Sequence, residues 1–126
     1  DLTDASGEVV VALSDEAAWD AEYSRRLSEV FDHFADTGTT VVWVGQMHSA
    51  DPLVGSTNRR VHRLATEVAG QRPFVVVADL GDWLGTGEEP AADCLEPDGV
   101  HLSETCTARA AEALAAVVEA EVPAEG

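Results

Sequence analysis

Three short runs of β-branched and apolar residues constrain the fold most: Glu8-Val9-Val10-Val11-Ala12-Leu13, Thr40-Val41-Val42-Trp43-Val44-Gly45 and Pro73-Phe74-Val75-Val76-Val77-Ala78. Each is continuous rather than alternating, which predicts strands buried on both faces, as in a parallel sheet. Helical periodicity fills the gaps between them. After Ser14-Asp15, a helix cap, the residues Trp19, Tyr23, Leu27, Val30, Phe31 and Phe34 recur at three- and four-residue spacing until a stop near Thr37-Gly38. The loop Gln46-Met47-His48-Ser49-Ala50-Asp51-Pro52 ends the second run, and a helix is predicted from Thr57 to Ala69, with Gly70 as its stop. The segment from Asp79 to Glu96 reads as a long surface loop anchored by Trp83 and Leu84. Ser103 then caps a last helix with a predicted buried stripe of Ala108, Ala111, Leu114, Ala115 and Val118, and the acidic tail from Glu119 is expected to fray.

Strand, helix, strand, helix, strand, loop, helix predicts an α/β fold with a parallel sheet and right-handed crossovers, formed as one domain over residues 1–126. With 45% hydrophobic residues and all three aromatic types, the chain is long enough for a single core. A formal net charge of −17 sets the surface against nucleic-acid phosphates, so no nucleic-acid partner is expected. No run approaches the roughly 18 apolar residues of a membrane span, so no direct membrane insertion is expected either.

Parallel α/β sheets bind ligands outside the carboxyl ends of their strands. Ser14, Asp15, Gln46, His48, Asp79 and the pair Asp98 and His101 are therefore expected to gather at one edge, with Ser14 and His48 as candidate substrate contacts. An Asp that orients a His makes that imidazole a competent general base. The competing reading of Asp98 and His101 is a turn stabilised by the aspartate, with a surface histidine ahead of the helix. His33 and His62 fall on helices as surface or boundary residues, and Trp43 and Trp83 as core or pocket wall. Ser14 and Ser49 are the serines placed to act as a nucleophile, yet neither has the glycine-flanked elbow that exposes one. Cys94 and Cys106 bracket the Asp98/His101 segment. Bonded, they imply an oxidising, extracytoplasmic setting; free, they are two buried thiols of a cytosolic protein. Their spacing fits no metal site.

The segment Asp98-Gly99-Val100-His101-Leu102-Ser103, followed by a helix, resembles the last block of the SGNH (GDSL-type) hydrolase superfamily. It is similar in particular to SGNH domains that are secreted or fused to membrane acyltransferases and that add or remove O-acyl groups on cell-surface glycans. The resemblance implies a three-layer, flavodoxin-like fold of which this chain is the C-terminal half. It also implies a serine ester hydrolase or O-acyltransferase with His101 as base, Asp98 as its orienting group and no cofactor, in an extracytoplasmic or secreted setting. The other family blocks are missing. No Gly-Asp-Ser occurs, Gly81-Asp82 being followed by Trp83; the oxyanion glycine has no match; and Ser14-Asp15-Glu16-Ala17 stands where the oxyanion asparagine belongs, Asn58 lying elsewhere. The family's first strand would lie beside the Glu8 to Leu13 run, leaving an unpaired apolar edge here. An N-terminal SGNH segment or a partner chain supplying the Gly-Asp-Ser strand is therefore expected at that edge, with a small acyl-ester or glycan substrate. Alone, the chain is expected to be inactive. The alternative is a non-catalytic α/β binding module that retains the Asp-His turn.

Overall fold

The computed structural model describes residues 1–46, 49–84 and 93–121. Its elements are β1 (Leu2–Thr3), β2 (Val9–Val11), α1 (Glu16–Asp32), β3 (Val41–Gly45), α2 (Pro52–Ala69), β4 (Val75–Asp79), α3 (Leu80–Trp83) and α4 (Glu104–Glu121). The α/β class is as the sequence predicts, and among the described residues its parallel part is a single pair of strands. β3 and β4 run parallel from Val41 opposite Val75 to Gly45 opposite Asp79.

The first apolar run does not join that sheet. β2 pairs antiparallel with β1 instead, and Val9 and Val10 are 51% and 56% exposed rather than buried. Local turn chemistry explains the difference. The Asp4 carboxylate accepts the backbone N–H groups of Ser6 and Glu8, and Gly7 takes φ +86°, which closes a hairpin before any distant strand is reached. The edge expected to stand open thus has an internal partner in β1, while the outward valines stay uncovered.

One face of the β3/β4 pair carries the core. Leu27 and Phe31 of α1 meet Ala65, Val68 and Ala69 of α2 over Val75, with Val41, Trp43 and Val77 packed against them. Phe31 is fully buried and meets Trp43 edge to face at 5.7 Å. Strand alternation turns Val42, Val44 and Val76 to the opposite face, where Val44 is 37% exposed. Among the described residues α4 packs chiefly on α3, in a cluster set apart from the main core. That cluster consists of Leu84, Cys94, Cys106 and Ala110, joined by Leu80 and Leu102.

Several boundaries move for identifiable reasons. α1 begins where predicted, its Asp15 cap accepting the N–H of Ala18, but it ends at Asp32, and Val30 of the predicted stripe points outward. α2 begins at Pro52 rather than Thr57. Asp51 accepts the N–H groups of Leu53 and Val54, and Pro52 at the first helical position needs no N–H, so the loop proline is a helix start. The loop predicted from Asp79 holds the short helix α3, initiated by the Asp79 carboxylate on the N–H of Gly81; residues 85–92 of that loop lie outside the described residues. Its buried anchor is Leu84, whereas Trp83 is half-buried. In α4 the buried side starts at Cys106 and Ala110; Ala108, Ala111, Ala115 and Val118 are exposed, and only Leu114 of the predicted stripe is partly covered. The disulfide decides that rotation, because Cys106 must face Cys94. Helical structure continues through Glu121, past the point where the tail was expected to fray.

Candidate active site

The Asp98/His101 segment is the tip of a closed loop. At its base Cys94 and Cys106 form a disulfide with a Cα–Cα distance of 5.1 Å. Above it, Ser103 N–H donates to the Cys94 carbonyl at 2.9 Å, Leu95 and Leu102 form an antiparallel bridge, and Glu96 N–H donates to the His101 carbonyl at 2.8 Å. The Ser103 hydroxyl donates to the Asp93 carbonyl at 2.8 Å and accepts the Cys106 N–H, which ties the loop to the start of α4.

The tip itself is a β-turn with Pro97 at its second position, closed by Gly99 N–H on the Glu96 carbonyl at 2.9 Å. Gly99 takes φ +72°, a conformation L side chains rarely adopt, and a Cβ there would lie 2.9 Å from the Ala50 Cβ. Close approach matters because the Ser49–Asp51 segment buttresses the turn. Ala50 N–H and the Ser49 hydroxyl both donate to the Gly99 carbonyl, at 2.9 and 3.0 Å. Ser49, weighed as a nucleophile, is thereby engaged with backbone rather than with the imidazole.

Reversal at Gly99 folds His101 back over Asp98. One aspartate oxygen accepts the N–H groups of Val100 and His101 at 2.9 and 3.0 Å, and the other meets His101 Nδ1 at 2.6 Å. An ionised carboxylate only accepts, so Nδ1 carries the proton and Nε2 presents its lone pair outward in the neutral ring. The hydrogen bond from His101, reinforced by the two backbone N–H groups, holds the Asp98 carboxyl well below the usual carboxylate range. The same hydrogen bond and the charge of Asp98, with Glu96 adding to it, raise the His101 pKa. Both side chains are open to solvent, 78% exposed for His101 and 50% for Asp98.

His101 also stands at the wall of a cleft of about 360 Å³. The cleft draws Val54 and Asn58 from α2, Leu80 from α3, Gln46 from the end of β3, and Val100 and Leu102 from the loop itself. Gln46 and His101 are thus brought together at the carboxyl end of the parallel pair, as the topology predicts. Ser14 is not: it lines a separate cleft of about 490 Å³ with Arg60 and Leu53, and Asp15 caps α1. His48 lies outside the described residues.

Asp79 has a partner that periodicity alone did not reveal. Its Oδ2 lies 3.1 Å from Nε2 of His62, the residue one helical turn beyond Asn58 on α2. The imidazole fits because position 45 has no side chain; a Cβ there would lie 2.7 Å from His62 Nδ1. The pair fastens α2 to the end of β4, next to Leu80 in the cleft wall. Among the described residues, no group of three or more His, Cys, Asp or Glu side chains is placed to hold a metal ion, and no helix is long and apolar enough to cross a membrane.

No family model, no curated protein and no solved structure matches this chain.

Proposed function

We propose that the chain carries the acid-base half of a serine-type acyl-transfer centre, with His101 as general base and Asp98 as the group that orients it. The reading is that of an SGNH-type ester hydrolase or O-acyltransferase acting on acyl esters, including those of cell-surface glycans. One observation carries it: Asp98, stitched by two backbone N–H groups, fixes the Nδ1 tautomer at 2.6 Å and leaves Nε2 facing outward beside an apolar cleft. The nucleophile comes from outside the chain, in an N-terminal SGNH segment or a partner polypeptide carrying Gly-Asp-Ser. Its serine hydroxyl gives its proton to Nε2 as oxygen attacks the acyl carbon, the imidazolium returns that proton to the leaving alkoxide, and water or an acceptor hydroxyl then resolves the acyl-enzyme. The disulfide favours an extracytoplasmic setting.

The second reading, a non-catalytic interaction module, is favoured by the exposure of His101 and by the engagement of Ser49 with Gly99. Native intact mass of the protein from its source, followed by fluorophosphonate labelling, separates the two. The enzyme reading expects a longer chain or a copurifying polypeptide with a labelled serine, and a labelling rate that His101→Ala lowers by about 10² or more. A lone 13.3 kDa species, or labelling that ignores His101→Ala, refutes it.

A further inference from the structure

We infer that the cleft beside His101 is a binding site for a linear aliphatic chain with a neutral carbonyl head, and that Val54 and Leu80 set the chain length it accepts. The inference rests on the reading of His101 as the base and goes further by naming what lies against the imidazole.

Wall chemistry carries the argument. Val54, Leu80, Val100 and Leu102 line an open cleft of about 360 Å³, and the polar groups Gln46 and Asn58 share its lining with His101. Apolar walls with a few convergent polar groups, in this size range, are the usual form of a small-molecule site. A sugar ring needs a denser set of donors and acceptors than the described residues of this lining offer, and a two-carbon acetyl group leaves most of their apolar surface uncovered. A longer alkyl chain covers it.

The walls are also held in place by the surrounding structure. Val54 is in the first turn of α2, where its N–H donates to Asp51 at 3.0 Å. Leu80 follows Asp79, which is held both by His62 and by the N–H of Gly81, and Leu80 and Leu102 pack against the disulfide cluster. Charge then selects the head group. The chain carries −17, and Glu96 and Asp98 both act on His101, so a neutral ester enters more readily than a free carboxylate, and the carboxylate product of hydrolysis is repelled.

Hexanamide is the probe, because its amide both donates and accepts and is not hydrolysed on the timescale of a titration. Methyl-resolved NMR of the intact chain is expected to show saturable shifts at Val54, Leu80, Val100, Leu102 and the His101 ring, with millimolar affinity. Each buried methylene adds about fourfold, so hexanamide is expected to bind at least about tenfold more tightly than acetamide even with its chain partly covered. Val54→Trp, which fills the cleft, is expected to weaken hexanamide about tenfold or more; Leu80→Ala, which lengthens it, moves the preference toward octanamide. Shifts that do not saturate, or hexanamide binding no tighter than acetamide, overturn the site. A flat hexanamide titration removes the chain site alone, whereas labelling insensitive to His101→Ala removes the reading it rests on.

Discussion

Removing the Cys94–Cys106 bond tests whether covalent closure holds the Asp98/His101 turn in place. The two cysteines are 12 positions apart, and the chain-entropy model assigns a loop of that size about 3 kcal/mol. Both sulfurs are also buried against Leu84 and Ala110, so alanine at both positions leaves a small void worth roughly 1 kcal/mol more. Cys94→Ala/Cys106→Ala is therefore expected to cost about 3 to 4 kcal/mol and, for a chain of this length, to lower Tm on the order of 10 to 15 °C. The loss should also be local. The amides of Glu96 and Ser103 close the loop, and their hydrogen-exchange protection should fall more than that of Val76 and Val77 in the parallel pair. Calorimetry of the variant, with exchange followed by NMR, checks both parts. A Tm within about 2 °C of the parent, with Glu96 and Ser103 still protected, refutes the reasoning, because the backbone hydrogen bonds would then hold the loop unaided.

Gly45→Ala places a Cβ 2.7 Å from His62 Nδ1 and is expected to cost about 1 to 3 kcal/mol by displacing the imidazole from Asp79. In a His62→Ala background most of that cost should vanish; an undiminished penalty in the double-mutant cycle refutes the steric account. Asp98→Asn is expected to lower the pH at which His101 titrates, as read from its ring resonances, since the aspartate is the main cause of the raised value. The sign of the pH dependence follows from both shifts. His101, raised in the folded state, contributes fully below the ordinary imidazole range and loses that contribution as pH rises through its folded pKa. Asp98, depressed, contributes above the ordinary carboxylate range and loses it as pH falls toward its folded value. Protection of the Val100 and His101 amides should therefore peak in the mildly acidic window between those two ranges.

What the sequence determined by itself is local. The Val41 and Val75 runs, the Asp15 and Ser103 caps and the Asp98-Gly99-Val100-His101 turn are each set by residues within a few positions of one another, and the structure realises all of them, the two runs as strands buried on one face rather than both. The Asp51-Pro52 helix start and the Asp4-Gly7 turn are also written locally; the weak helix formers Gly55 and Ser56 obscure the first, and the long apolar run after it obscures the second. Tertiary structure alone decided that α4 turns Cys106 and Ala110 inward and that His62 reaches Asp79 through the space Gly45 leaves. It also set Val54, Leu80 and His101 around one cleft. The physical reason is range. Caps and turns are satisfied by neighbouring backbone groups, whereas the pairing of strands, the rotation of a helix and the walls of a cleft depend on which distant surfaces exclude water together.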